Sequence, residues 1–150
     1  HQMTKPPTKP PLQIKLRPET GEDLHFILSS WKRSFFDTLP WLPPEIYYPM
    51  ISHRIDALRQ SPRTSTTVAC SPDDEDFIFG WACRSPTHLH YIFVRQSFRG
   101  ARVAARLSPP PTMGPIKTTH WTRPCERYAS KHPGRLIYTP SNLPSPPKPG

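Results

Sequence analysis

The placement of proline limits most strongly how this chain can fold. Prolines make up 23 of the 150 residues, whereas the usual share is about 5%. Most lie in three clusters, at residues 6–11, 109–115 and 140–149. Because proline fixes φ and lacks a backbone donor, these clusters favour extended segments over packed elements. We therefore expect a flexible N-terminal segment at 1–11, in which residues 1–2 are remnants of cloning, one domain at 12–143, and a tail at 144–150.

Composition narrows the class of protein. A chain of 150 residues suits one compact domain with a real core. Its three cysteines, Cys70, Cys83 and Cys125, are odd in number and lack metal-ligand spacing, so we expect no disulfide framework, no metal and a reducing, cytoplasmic location. Cys83 and Cys125 are expected to be buried small apolar residues. No apolar run is long enough to cross a membrane. The formal charge of +9 suits an anionic partner, either nucleic acid or a phosphate-rich cofactor, or else only solvates the surface.

The spacing of apolar residues predicts ten elements. Alternation indicates strands, and spacings of three, four and seven residues indicate helices. Strands are expected at 12–17, 64–70, 77–84, 88–94, 116–121 and 135–139, and helices at 20–35, 45–59, 101–107 and 124–131. The order β-α-α-β-β-β-α-β-α-β predicts an α/β (α+β) fold, with a mixed central sheet and helices on both of its faces.

The segment at 90–107 is the most informative part of the sequence. An apolar strand ends at Val94, a polar loop carries Gly100, and a helix then opens with small residues. N–H groups at the start of a helix lack intrahelical partners and the helix dipole adds positive potential, so such a loop favours an anion. Four arginines add charge there, or form only a solvated helix face: Arg95, Arg99, Arg102 and Arg106.

This segment resembles the acyl-CoA-binding motif of the GNAT superfamily, the acyl-CoA-dependent N-acyltransferases. In that motif a Val is followed six residues later by Gly, within the pattern Arg/Gln-x-x-Gly-x-Gly/Ala. Val94 and Gly100 keep the spacing, and Arg99 and Ala104 fill the first and last positions of the pattern. The predicted element order also matches the family's. The resemblance implies acetyl-CoA as co-substrate, bound by Phe93, Val94, Arg95, Arg99, Gly100, Ala101, Arg102 and Ala104.

One position departs from the motif. Arg102 stands where the family has its middle Gly, at the point where the backbone usually approaches the pyrophosphate. The long side chain either reaches a phosphate as a charge, blocks the site, or lies on the surface. A blocked site would make the domain a degenerate GNAT-like structural or interaction module, because a fold does not guarantee its usual activity.

The resemblance also implies the catalytic groups. Acyl transfer to an amine requires a polarised carbonyl, a route for the amine's proton and protonation of the leaving thiolate. Backbone N–H groups of residues 91–94 would face the carbonyl, and His90 stands where many relatives carry a Glu base. Tyr128 matches the tyrosine that protonates the thiolate, although it lies further than usual from Gly134. The structural alternatives are a buried His90 without a catalytic role and a core aromatic at Tyr128.

The sequence does not identify the acyl acceptor. Relatives build the acceptor pocket from the region 35–59, where Trp41, Tyr47 and Tyr48 either line the pocket or belong to the core. We predict an N-acetyltransferase that moves an acetyl group from acetyl-CoA to a primary amine. The charge of +9 leaves open a nucleic-acid-associated, DNA-modifying phage protein that acts in the host cytoplasm. A homodimer is compatible with either function.

Overall fold

The computed structural model describes residues 11–86, 88–108, 115–120 and 123–139. Within them, six strands form one sheet in sequence order, and four helices accompany it. The strands are β1 Lys15–Pro18, β2 Ser65–Cys70, β3 Ile78–Arg84, β4 His88–Val94, β5 Ile116–Thr118 and β6 Leu136–Tyr138. The helices are α1 Leu24–Phe36, α2 Pro44–Gln60, α3 Val103–Leu107 and α4 Arg123–Lys131. This arrangement confirms the predicted element order.

The sheet has two unlike halves. Strands β1 to β4 are joined by antiparallel ladders, whereas β4–β5 and β5–β6 are parallel pairs. The β4–β5 ladder pairs His88 with Lys117 and Leu89 with Thr118. One further bond joins the Thr119 N–H to the Leu89 carbonyl at 3.4 Å. β4 then continues to Val94 while β5 has ended, so the two strands part at the centre of the sheet.

Each face of the sheet carries its own apolar core, because successive side chains of a strand point to opposite faces. On one face, α1 and α2 pack against Trp81, Cys83 and Tyr91. On the other, α3 packs through Val103 and Leu107 against residues that include Phe79 and Ala82. Helices therefore cover both faces, as the sequence predicts.

The strand pairing of β3 and of β4 each contains one irregularity, at which an extra residue has no partner on the neighbouring strand. In β3 the pairing steps from Ala69↔Gly80 to Cys70↔Ile78 and leaves Phe79 as an extra residue. In β4 the pairing skips His90 in the same way. A side chain at Gly80 has no room, since its Cβ would lie 2.3 Å from the Phe93 carbonyl oxygen. Glycine is therefore required for the close approach of β3 to β4.

Several predicted boundaries differ from the structure. β1 begins at Lys15 and not at residue 12, because Leu12 and Ile14 pack into the α3-face core. α3 begins at Val103, since Arg102 has φ of +68° and cannot belong to a right-handed helix. The predicted N-terminal segment and tail, and the prolines at 109–111, lie outside the described residues, apart from position 11. None of the described helices is long and apolar enough to cross a membrane.

Candidate active site

A cleft of about 1000 Å³ lies along β4 at the point where β5 leaves it. Residues 91–94 of β4 contribute to its lining. Further lining comes from the end of α1 with the loop that follows, from the segment around residues 98–104, and from α4. The cleft therefore arises from the parting of β4 and β5, with loops of different composition at its rim.

The loop between β4 and α3 is held by aromatic packing and by two left-handed residues. Gln96–Phe98 forms a single 3-10 turn, and the Phe98 ring lies 4.6 Å from that of Phe79. Gly100 and Arg102 have φ of +86° and +68°. The positive φ of Arg102 is unfavourable, because Arg102 has a side chain and Gly100 does not. These turns bring Gly100, Arg102 and Ala104 to the cleft.

The structure brings six of the eight predicted cofactor-binding residues together. Those lining the cleft are Phe93, Val94, Arg99, Gly100, Arg102 and Ala104. Arg95 is not among them, because its guanidinium lies over the Phe26 ring, 4.7 Å from the centroid. Ala101 packs against the core on the α3 face. The resemblance therefore located the part of the cleft formed by the end of β4 and the loop that follows, whereas contacts with α1 and with the core draw Arg95 and Ala101 away.

Three arginines contribute to the lining of the cleft. Arg99, Arg102 and Arg127 line it, whereas Arg106 lies on the exposed part of α3 and does not. Arg102 lines the cleft and is exposed, so its charge is accessible there. Guanidinium groups bind phosphate oxygens through paired N–H donors.

Sequence reasoning missed a pair of hydroxyl groups in the cleft. The Tyr91 hydroxyl lies 2.7 Å from Ser34 Oγ, and both residues line the cleft. Burial raises the pKa of Tyr91 to about 12, against opposing effects of the Ser34 hydrogen bond and the Arg99 charge. The hydroxyl is therefore protonated at neutral pH and is able to donate a hydrogen bond. No local spacing signals this pair, since the partners are 57 residues apart.

His90 belongs to a buried polar chain beside the cleft and is not among the residues that line it. Its Nδ1 lies 3.1 Å from Thr119 Oγ1, which lies 3.0 Å from the Nδ1 of His120. Burial lowers the pKa of both imidazoles to about 4, so both rings are neutral at pH 7. The rings of Phe35 and Tyr91 pack against His120 at 4.8 and 5.7 Å.

The other predicted groups lie as follows. Tyr128 is half-buried on α4, with its ring 4.6 Å from that of His132, and is not among the residues lining the cleft. Tyr47 is a core residue whose hydroxyl donates to the Lys32 carbonyl at 2.7 Å, whereas Trp41 lines the cleft. All three cysteines are buried. Across the described ranges, no three His, Cys, Asp or Glu side chains are grouped to hold a metal.

Comparison with known proteins gives structural neighbours only. No protein-family profile matches the chain, and no curated protein is significantly similar to it. YjaB from Escherichia coli is 24% identical, with a TM-score of 0.47, over 64% of this chain and 62% of its own. A Pyrococcus furiosus protein assigned as an acetyl transferase is 13% identical over 85% and 82% of the two chains, with a TM-score of 0.49. The ribosomal-protein-alanine N-acetyltransferase of Brucella melitensis is 12% identical over 92% and 96%, with a TM-score of 0.43. Because all three TM-scores lie below 0.5, functional inference rests on this chain's own geometry.

Proposed function

We propose that this protein is an acetyl-CoA-dependent N-acetyltransferase that acylates a primary amine in the cleft beside β4. One observation carries the proposal: among the described residues, the β5 side of β4 has no partner strand beyond Leu89, and this free edge reaches the arginine-bearing loop at Val94. An open strand edge offers N–H and C=O groups to an extended amide chain such as pantetheine. The cations of Arg99 and Arg102 suit a pyrophosphate at its end.

The reaction follows from these positions. The neutral amine nitrogen attacks the thioester carbonyl carbon, the C–S bond breaks, and an amide forms. Free N–H groups of residues 91–94 are placed to stabilise the developing oxyanion. The amine loses a proton to water or a base, and the thiolate of CoA gains one. The family resemblance implies Tyr128 as the proton donor for the thiolate; Tyr91, whose pKa of about 12 makes it a weak acid, lines the cleft as a neutral hydroxyl.

His90 has a restricted part in such a reaction. Its ring is 6% exposed and bonded to Thr119, so a proton from an amine in the cleft would reach it through water. A base with a pKa of about 4 accepts only a small fraction of protons at pH 7. We therefore propose His90 as a relay for the proton and not as its final acceptor.

Calorimetric titration with acetyl-CoA tests the proposal. We expect the wild-type protein to bind, and Arg99→Ala to weaken binding by about 1–3 kcal/mol, the range for a hydrogen bond to a charged group. Arg106→Ala is the matched control, because it removes the same charge from the same loop-helix unit away from the cleft, and we expect it to bind as the wild type does. Absence of heat with the wild-type protein at millimolar acetyl-CoA would reject the enzyme and favour a degenerate interaction module.

A further inference from the structure

We infer that the acyl acceptor is a small amine carrying a second positive charge, such as a diamine or polyamine, whose distal ammonium is held by Asp37 beside Trp41. This inference deepens the proposed function, because it assigns a substrate class to the part of the same cleft that faces α1. Three features support it: an exposed aromatic ring, an unpaired carboxylate, and the presence of carboxylates as well as arginines in the cleft.

The first feature is Trp41. It follows Pro40 in the loop after α1, and both residues line the cleft. Its side chain is 73% exposed, the highest value among the large exposed hydrophobic residues of the described chain. A bare indole contributes little to the core and offers a flat face to methylene groups or to a cation. Its position in the cleft wall therefore favours a ligand with an alkyl chain and a positive charge.

The second feature is Asp37, the C-cap residue of α1. The C-terminus of a helix carries partial negative charge and favours cations, so a carboxylate there is electrostatically misplaced. Within the part of the chain that the structure describes, its side chain has neither a salt bridge nor a hydrogen bond. A cationic ligand would relieve the repulsion that the helix end exerts on this carboxylate.

The third feature is the distribution of charge around Tyr91. Asp37 and Arg99 both act on its hydroxyl, with opposite effects on its pKa, so both charges lie near Tyr91. Carboxylates line the cleft as well as arginines: Asp37 and Glu126 stand with Arg99, Arg102 and Arg127, on a chain whose net charge is +9. An anionic acceptor would be drawn to the arginines, where it would compete with phosphates. A dication is drawn to the carboxylates instead.

Binding to CoA-saturated protein provides the test, with three amines of equal chain length: 1,4-diaminobutane, butylamine and 4-aminobutyrate. We expect the wild type to bind the diamine at least about tenfold more tightly than butylamine, a difference of about 1.4 kcal/mol. Asp37→Asn should remove this preference and leave butylamine unchanged. Asp73→Asn, which removes an exposed carboxylate from the β2–β3 turn, should retain it. Trp41→Ala should weaken binding of the diamine and of butylamine.

Equal binding of the diamine and butylamine by the wild type overturns the inference, and so does tightest binding of 4-aminobutyrate. A diamine preference that survives in Asp37→Asn overturns the role of the carboxylate. Failure here is distinct from failure of the proposed function, which is measured by acetyl-CoA binding alone. If CoA does not bind, the same titrations on the unliganded protein still decide whether this wall selects a dication.

Discussion

The two halves of the sheet differ in strand pairing and in what they contribute to the molecule. From β1 to β4 the strands pair in antiparallel ladders, and α1 and α2 cover one face with fully buried Trp31, Tyr47 and Ile51. From β4 to β6 the strands are parallel, and β5 and β6 have three residues each. The first half supplies a rigid platform, and the second supplies an opening. The cleft lies where the hydrogen-bonded pairing of β4 with β5 ends. A strand that is paired along both edges has no backbone N–H or C=O groups left for a ligand.

The largest expected effect comes from a substitution in the antiparallel half of the sheet. Gly80→Ala would place a Cβ 2.3 Å from the Phe93 carbonyl oxygen, which belongs to the backbone and cannot move without shifting β4. We expect a loss of at least about 3 kcal/mol in the free energy of unfolding, the upper end for overpacking. Chemical denaturation measures it. Gly21→Ala is the control, because no atom lies within 4 Å of its added Cβ. Equal stability of the two variants would contradict the required close approach.

The next largest effect concerns the stability in acid of the region where β4 and β5 part. His120 has its pKa lowered by burial to about 4, below its unfolded value of 6.5. Protonation therefore favours the unfolded chain, so its contribution is complete above pH 6.5 and is lost as pH falls toward 4. We expect His120 to account for a loss of about 2 kcal/mol between pH 7 and pH 5, beside a similar loss from His90, whose pKa burial also lowers to about 4. Between pH 7 and pH 5, His120→Asn should lose less stability than the wild type. His25→Asn, which replaces an exposed histidine, should lose as much stability as the wild type. Parallel pH profiles for the two variants would contradict the buried role.

The antiparallel half should lose stability at a lower pH than the region around His120. Asp23 accepts hydrogen bonds from Arg17 at 2.7 and 2.9 Å, and this pairing lowers its pKa from 3.8 to about 2. Its contribution is present above pH 3.8 and is lost as pH falls through 2. We expect a loss of about 1 kcal/mol between pH 5 and pH 3, absent in Asp23→Asn. The control is Asp76→Asn, which removes an exposed carboxylate and should show the same loss of stability between pH 5 and pH 3 as the wild type. If Asp76→Asn abolishes that loss as fully as Asp23→Asn does, the loss does not arise from the Arg17–Asp23 pair.

The smallest expected effect concerns the loop of the cleft. Arg102 and Arg63 share a left-handed conformation, with φ of +68° and +67°, but only Arg102 lines the cleft. Arg102→Gly and Arg63→Gly should each raise stability by about 0.5 kcal/mol, because glycine adopts this conformation without strain. Arg102→Gly alone should weaken acetyl-CoA binding. Tighter binding would instead identify Arg102 as a side chain that blocks the site.

The sequence predicted features that depend on local spacing. The period of the apolar residues set the element order, and the interval from Val94 to Gly100 located the loop that lines the cleft. The exact start of α3 was missed because the left-handed conformation of Arg102 is not visible in residue type. Glycine, and not arginine, is the usual signal of such a conformation.

Features that depend on distant contacts were not predictable in this way. Arg95 lies over Phe26, a residue of α1, although its position in the motif predicted contact with acetyl-CoA. The pairing of Tyr91 with Ser34, and the chain from His90 to His120, each join residues brought together only by tertiary packing. A spacing rule has no access to such contacts, because they are set by how α1 and the end of β5 lie on the sheet.

The hydroxyl of Thr119 has a consequence for the tautomers of its two imidazole neighbours. It lies within hydrogen-bonding distance of Nδ1 in both His90 and His120, yet it has a single hydrogen to donate. At most one ring can therefore accept at Nδ1, and at least one must carry its proton there and expose an unprotonated Nε2. The rings cannot both adopt the Nε2–H form while this contact persists. Nitrogen chemical shifts of the two side chains should consequently be correlated, and Thr119→Val should release both rings to choose their tautomers independently.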